Sequence, residues 1–385
     1  MENKYSCKYF KDCGSCKLLN HPYKETLDLK LKMVNDCLKK EHIKYNVNDI
    51  IASPRIISYR NKMIIGFKNI KGNIIAGFYE EGSHRIVNID KCIMHTDIQN
   101  QILSTFVALI KKMHYEIYDE DKRVGLIRYL LIREGFQTKE VMVTIVTSND
   151  IFPGCKNIVK ELLKTIPSIT TIIQNINPRK TSIVLGEKQK VLFGKGYISD
   201  YIGNIKYNIS SKSFFQVNPL QANNLYNEII NAGEFSGDEK VIDAYSGVAS
   251  IACFIAKKVK EVYAIENNKD ACQNAINNTK NNNIKNVQII NADSTEFLKQ
   301  EAINKNEYDV VILDPPRSGS TEEFIKCVRK VLAKKVIYVS CEPSTLARDL
   351  GLFIKEGYAI KSTKCFDMFC YSEHIETIVG LYLKG

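Results

Sequence analysis

No stretch of this 385-residue chain is apolar over the roughly 18 residues that a membrane-spanning helix needs, which excludes a helical membrane protein. The first residues, Met1 to Cys7, lack the apolar core of a secretory signal, so a cytoplasmic location with no membrane partner is expected. There the twelve cysteines stay reduced or bind metal. No internal repeat is present, which excludes a solenoid. What remains is ordinary for a globular chain, 44% hydrophobic and 25% charged residues, long enough for two or three domains. A formal net charge of +11 favours a polyanion, and nucleic acid is the expected partner.

Two short apolar runs, Val310–Leu313 and Val336–Val339, stop in Asp314-Pro315-Pro316-Arg317 and Ser340-Cys341-Glu342-Pro343. Runs of this length, rich in β-branched residues and stopped near proline, read as buried parallel strands. Ligands of open α/β sheets bind outside the carboxyl ends of the strands, so an acid, an arginine and a cysteine are delivered to one edge. Strand patterns at 239–245, 259–266, 287–293, 308–314, 335–341, 359–368 and 374–383 alternate with helical ones at 248–257, 268–281, 321–332 and 343–355. Only residues 369–373 separate the last two strands, too few for a parallel crossover, so that pair is expected to be antiparallel. The expected fold is α/β, a Rossmann-like seven-stranded sheet with an antiparallel last strand. The N-terminal half instead shows short β-rich segments at 56–69, 73–79, 84–89, 125–134, 140–147, 170–176, 181–185 and 190–194. They suggest an antiparallel sheet, with helices near 96–113 and 155–165. Residues 24–40 form an amphipathic helix with Leu27, Leu31, Val34 and Leu38 on one face.

The first strand of the C-terminal half runs into Asp243-Ala244-Tyr245-Ser246-Gly247-Val248-Ala249, and the second ends in Glu266. A tight turn at a helix N-terminus followed by a carboxylate for a ribose diol is a nucleotide-binding layout. The three-glycine dinucleotide fingerprint is absent, so a nucleoside cofactor without phosphates fits better, and S-adenosylmethionine is the common one. Asp293, ending the third strand, is placed to face an adenine amino group; the rival reading is a generic α/β turn with a capping acid.

Cys341 ends its strand ahead of a helix whose N-terminal dipole favours a thiolate, although Glu342 opposes this. A lone strand-end cysteine is more often a small core residue. Here Asp314 lies on the adjacent strand and Glu376 starts the last one, so nucleophile and base meet in one cleft. Near the start of the chain, Cys7, Cys13 and Cys16 form a tight group, and Cys92 is the favoured fourth partner over Cys37. With one Cys-x-x-Cys knuckle rather than two, the spacing suits a 4Fe-4S cluster better than a zinc ribbon. A zinc site including His95 is the alternative.

Together these residues resemble the bacterial RNA 5-methyluridine methyltransferases, and more closely the iron–sulfur enzymes that modify 23S ribosomal RNA. The resemblance runs over Cys7/Cys13/Cys16 with His21 and Tyr23, Gly125-Leu126-Ile127-Arg128, Ser213-Phe214-Phe215-Gln216-Val217-Asn218, Asp314-Pro315-Pro316-Arg317, Ser340-Cys341-Glu342-Pro343 and His374-Ile375-Glu376. It implies that Gln216, Tyr245, Glu266 and Asp314 bind S-adenosylmethionine, joining Gly247 and Asp293 of the nucleotide-binding layout. It makes Cys341 the nucleophile and Glu376 the base; as basic and aromatic side chains suited to gripping RNA, Arg128, Arg133, Phe215 and Arg317 are the expected substrate contacts. It implies two domains. Residues 1–22 and 54–205 form an iron–sulfur, β-rich RNA-binding domain, and residues 23–53 and 206–385 form a class I methyltransferase domain. Two departures stand out: Met368-Phe369-Cys370 where the family has Met-Phe-Pro, and Arg128-Tyr129 where it has an arginine-histidine pair. The small N-terminal RNA-binding barrel of some relatives is expected to be missing.

The expected reaction is methylation of carbon 5 of a uridine in 23S rRNA, free or in an assembling large subunit, by a monomeric enzyme. Alternatives are a tRNA uridine-5-methyltransferase, an amino-methyltransferase acting on adenine, and a non-catalytic iron–sulfur RNA-binding protein.

Overall fold

The structure, a computed structural model, describes residues 5–181 and 183–385. The chain begins with α1 (Phe10–Cys13), α2 (Tyr23–Lys40) and β1 (Ile50–Ile51). A β-rich lobe follows, made of β2 (Lys62–Ile70), β3 (Asn73–Tyr79), β4 (Ile86–Asn88), α3 (Asp97–Lys112), β5 (Ile127–Glu134), β6 (Val141–Thr147), α4 (Cys155–Thr165), β7 (Ile169–Ile176) and β8 (Lys188–Phe193). A hairpin of β9 (Ile198–Ile202) and β10 (Ile205–Ile209) leads into α5 (Pro219–Gly233). The rest alternates: β11 (Lys240–Ala244), α6 (Ser250–Ile255), β12 (Glu261–Glu266), α7 (Lys269–Asn281), β13 (Val287–Asn291), α8 (Ser294–Ile303) and β14 (Val310–Leu313). It ends with α9 (Glu322–Lys330), β15 (Lys335–Ser340), α10 (Pro343–Lys355), β16 (Tyr358–Phe366) and β17 (Glu376–Leu383).

The C-terminal sheet has the order β1-β16-β17-β15-β14-β11-β12-β13. Its central strands are apolar on both faces because helices cover both. Val241, Val310, Ile312 and Ile337 face one core, and Ile242, Val311, Leu313 and Val336 face the other. β17 runs antiparallel between β15 and β16. The sheet has eight strands rather than the expected seven, because β1 pairs in parallel with β16 through Ile50 and Ile51. Two residues leave no periodicity in the sequence.

The β-rich sheet has the order β4-β3-β2-β5-β6-β7-β8. It is mixed rather than antiparallel: β6 and β7 pair in parallel. α4 lies between them and gives the chain length enough for a crossover. Both faces of β5 and β6 are buried. α3 and α4 cover one side, and Met142 and Ile173 join the core of the C-terminal sheet on the other. The expected strand 181–185 is not present among the described residues; residue 182 lies outside them, as do residues 1–4.

α2 packs on α10, with Val34 and Leu38 in the C-terminal core. Its buried stripe is Thr26, Lys30, Val34 and Leu38, so a lysine occupies the inner face where Leu27 and Leu31 were expected. Lys30 is 1% exposed and donates to Asp367 at 2.5 Å and to the Phe369 carbonyl at 3.0 Å. The Tyr23 hydroxyl donates to the other Asp367 oxygen at 2.7 Å and accepts from the Ser53 amide at 2.9 Å. Removing one partner of such a pair strands the other charge in the interior. Asp367→Ala is therefore expected to cost about 3–5 kcal/mol in urea unfolding, with most of it recovered in Lys30→Met/Asp367→Leu. A loss under 1 kcal/mol would show that water reaches the pair.

Candidate active site and cysteine cavity

Strand register places the chemistry. Ser340 of β15 stands opposite Thr377 of β17, so Cys341 and Glu376 are the next residues outward on neighbouring strands. Leu313 pairs with Tyr338 on β15 and with Ala244 on β11, so Asp314 and Tyr245 leave the sheet at the same edge. Arg317 follows on the exposed loop, its guanidinium 3.3 Å from the His374 ring. Burial pushes the Cys341 thiol up to about 11, Glu376 and Asp314 add to this, and Arg317 opposes it. Glu376 is 8% exposed, and burial together with Asp314 holds its carboxyl well above the usual range. Asp314, at the rim of the cleft but enclosed beneath, is raised to about 7 by burial. Three acidic groups thus share one low-dielectric edge with one guanidinium, and each holds its proton to a higher pH than the free group would.

The neighbouring turn is shaped for a ligand. Tyr245, Gly247 and Ala249 all have positive φ, +61°, +56° and +57°. The Gly247 amide donates to Glu266 Oε2 at 2.9 Å, and the other Glu266 oxygen accepts from the Asn268 amide at 2.7 Å. A Cβ on Gly247 would meet no atom within 4 Å, so its face of the turn is open. Asp243, the residue before the last of β11, is fully buried and was not among the expected cofactor contacts. Its Oδ2 accepts from the Ala252 amide at 3.0 Å, while Oδ1 is buried with no partner. Burial raises this carboxyl to about 8, with Asp314 and Glu266 contributing. An orphaned buried carboxylate oxygen beside two further acids fits a cationic ligand, and S-adenosylmethionine carries a sulfonium and an ammonium. Asp293 caps α8, its Oδ1 accepting from the Thr295 and Glu296 amides, which leaves one oxygen free. The Gln216 carbonyl accepts from Asn61 at 3.0 Å, which ties this motif to the β-rich lobe.

The residues expected to grip RNA divide. Arg317 is exposed beside the cleft. Arg128 is not available: its guanidinium is buried, bonded to the Asn177 and Arg179 carbonyls and paired with Glu120 at 2.7 Å. Arg133 is buried as well and donates to the Ser213 carbonyl at 2.5 Å, a strut between β5 and the loop before α5. Reaching a bound strand would break these bonds and leave backbone carbonyls unpaired, so both act inside the protein. Phe215 is 4% exposed and packs on Tyr207, whereas its neighbour Phe214 is 65% exposed. The alternation from Ser213 to Gln216 held that signal, since adjacent side chains of an extended segment face opposite ways.

Cys7, Cys13, Cys16 and Cys92 line one cavity with Arg60, Met94 and His95. Among the described residues, no group of three or more His, Cys, Asp or Glu side chains is arranged to hold a metal ion. A four-iron cluster takes one thiolate per iron, so its ligands surround a volume instead of converging on a point. Burial raises Cys16 to about 12 and Cys92 to about 11, and each also feels Cys13 and Cys7. Such thiols ionise readily only against a cation, which is what iron supplies. His95 donates through Nε2 to the Lys62 carbonyl at 3.1 Å, and its buried Nδ1 has no partner. Cys37 lies elsewhere, on α2.

A family model for tRNA (uracil-5-)-methyltransferases matches residues 22–384. A protein of Clostridium tetani described as an RNA methyltransferase is 36% identical over 380 residues, covering 98% of this chain and 83% of its own. A Clostridium acetobutylicum protein with the same description is 37% identical over 377 residues, covering 97% of this chain and 82% of its own. Among solved structures, the Pyrococcus abyssi tRNA (uracil-54, C5)-methyltransferase in complex with S-adenosyl-L-homocysteine aligns with a TM-score of 0.79. It is 27% identical and the alignment covers 95% of this chain and 85% of that one.

The acids around the turn give a pH test. A cationic ligand favours their ionised forms, so binding must displace protons from Asp243 near pH 8 and Asp314 near pH 7. S-adenosylmethionine affinity is expected to rise at least about tenfold from pH 6 to pH 8.5 in calorimetric titration, one pKa unit being about 1.4 kcal/mol. Asp243→Asn should flatten that slope. Affinity independent of pH in the unaltered protein would contradict the assignment.

Proposed function

The chain belongs to the tRNA (uracil-5-)-methyltransferase family of S-adenosylmethionine-dependent enzymes, and on that premise we propose that it methylates carbon 5 of a uridine in 23S rRNA through a covalent adduct with Cys341. The observation that carries this reading is the Ser340–Thr377 pairing, which sets a thiol and a carboxyl side by side at the ligand edge of the sheet. Carbon 5 of uracil is a poor nucleophile. Attack of the Cys341 thiolate on carbon 6 makes an enolate whose charge reaches carbon 5. The bound sulfonium cofactor supplies the methyl group at that carbon. Glu376 then takes the carbon 5 proton, and elimination frees Cys341. Arg317, the charge at this edge that lowers the thiol and the carboxyl, favours both anionic forms. The target base must leave its stack to enter the cleft, and exposed Phe214 offers a surface on which a base can stack. An amino-methyltransferase acting on adenine needs no thiol here.

Residues 23–53 belong to the methyltransferase domain in this reading, supported by α2 in its core and β1 in its sheet. Cys7, Cys13, Cys16 and Cys92 hold a 4Fe-4S cluster, whose contribution is to cross-link the start of the chain to the β-rich lobe; the reaction itself needs no electron. The rRNA substrate follows from the resemblance of the cysteine pattern. A tRNA substrate is the second reading, favoured by the solved relative, which acts on tRNA.

In the Cys341→Ala enzyme, methylation and adduct should both vanish while cofactor affinity stays within about twofold. Glu376→Gln should attack and methylate but stall, leaving a gel-stable protein–RNA species; normal turnover would remove Glu376 from its role. Mapping 5-methyluridine in cells lacking the protein assigns the substrate: loss from 23S rRNA supports the first reading, loss from tRNA the second.

Protein purified without oxygen should be brown, with iron and sulfide matching one cluster. Cys92→Ser should bleach it and Cys37→Ser should not. Stoichiometric zinc without iron would overturn the cluster.

A further inference from the structure

The segment that delivers Glu376 is gripped from outside its own sheet. Between β16 and β17, the first half of the turn is held by the methyltransferase lobe: Asp367 by Lys30 and Tyr23, and the Met368 carbonyl by Asn218 at 3.1 Å. The second half is held by the cysteine-rich segment. The Leu18 amide donates to the Tyr371 carbonyl at 2.9 Å. Lys17 bridges Glu373 at 2.8 Å and Glu81, on the loop after β3, at 2.9 Å. The Tyr59 hydroxyl donates to the Cys370 carbonyl at 3.3 Å. Leu19, Tyr59, Met94, Cys370 and Tyr371 form a small separate core, with Cys7, Cys16 and Cys92 packed at its edge.

The order of residues makes this a direct connection. Lys17 and Leu18 immediately follow Cys16, and Met94 lies two residues after Cys92. Glu373 lies three residues before Glu376. Tyr371 sits in the left-handed region at φ +61°, a conformation a tyrosine keeps only when its surroundings impose it. Those surroundings are the Leu18 amide, the Leu19 and Tyr59 side chains, and the rings of Tyr5 and of Tyr23 on α2. An exposed ion pair alone would position little, but here it closes over a buried apolar contact and a backbone hydrogen bond.

We propose that Lys17 and Leu18 are positioning residues for Glu376: the cysteine-rich segment, ordered by its cluster, sets the Tyr371–His374 turn and thereby aims the base. The proposal rests on the reading of Glu376 as the base and of the four cysteines as cluster ligands. It differs from a purely RNA-binding role for the cysteine-rich segment, which would leave the turn unmoved. The step affected is the last one, removal of the carbon 5 proton and release of the thiol. Attack by Cys341, on another strand, is untouched.

Two measurements test it. In RNA-free protein, amide hydrogen exchange over 370–376 is expected to quicken about tenfold or more when the cluster is stripped, with β14 and β15 unchanged. In cluster-loaded protein, Lys17→Glu places a third carboxylate between Glu81 and Glu373. It is expected to lower kcat about tenfold with KM for RNA nearly constant, and to accumulate the covalent protein–RNA species. Lys17→Arg should behave as the unaltered enzyme, and adding Glu373→Lys to Lys17→Glu should restore turnover. If Glu376→Gln itself accumulates no adduct, the base assignment is at fault. If it does, but Lys17→Glu turns over normally and exchange at 370–376 ignores the cluster, the positioning role is wrong. A rise in KM alone would assign Lys17 to RNA binding instead.

Discussion

The buried contact among Lys30, Tyr23 and Asp367 is the constraint on which the site's geometry depends. It joins a helix near the start of the chain to the turn near its end, 337 residues apart for the Lys30 pair. An ion pair in the interior loses most of its Coulomb gain to desolvation, so its worth lies in geometry as much as in energy. Here the surrounding bonds are satisfied: Lys30 also reaches the Phe369 carbonyl, and Tyr23 also receives the Ser53 amide. Two segments, α2 and the chain at Ser53, are thereby locked to the approach of Glu376. Asn218 adds a third, bonding Ser53 and the Met368 carbonyl while capping α5.

On that frame the site is an electrostatic problem with one solution. Burial raises the proton affinity of Asp243, Asp314, Glu376 and Cys341, and Arg317 is the cation that opposes this at Cys341 and Glu376. A site so arranged gains most from a positively charged ligand. Each proton given up lowers the cost of holding that ligand, and the ligand in turn lowers the cost of each ionised acid. A carboxyl held protonated beside a thiol is poorly suited to be a base until charge redistributes. The same low dielectric that raises these groups makes any arriving cation count for more.

Much of the ligand edge was legible along the chain. Val310–Leu313 and Val336–Val339 announce buried strands by their β-branched composition, and proline stops them, so Asp314 and Cys341 fall at strand ends. The antiparallel last strand follows from the shortness of residues 369–373. Helices 155–165 and 343–355 begin and end where their patterns do. α5 was not read, although Asn218 followed by Pro219 is a helix-start signal. Arg128 and Arg133 were misread because a charged residue on a strand looks solvent-facing until a second layer covers it. Phe214 and Phe215 are chemically alike; alternation along the extended segment sets them on opposite faces, and the packing of Phe215 against Tyr207 fixes which one is buried.

By itself the sequence determined the alternation of strands and helices, the strand ends to within one or two residues in the C-terminal sheet, and the grouping of cysteines. All of these are local: they depend on side-chain periodicity, proline and spacing, which act within a few residues. Tertiary structure alone decided which face of α2 is buried, that β1 extends the sheet to eight strands, and that β6 and β7 run in parallel. It also decided that Leu18 meets Tyr371 and that Lys17 meets Glu373. These are pairings between segments up to hundreds of residues apart, and no single segment carries a signal for its partner. A lysine pattern on α2 reads as solvated face until a buried aspartate supplies the charge that lets it turn inward.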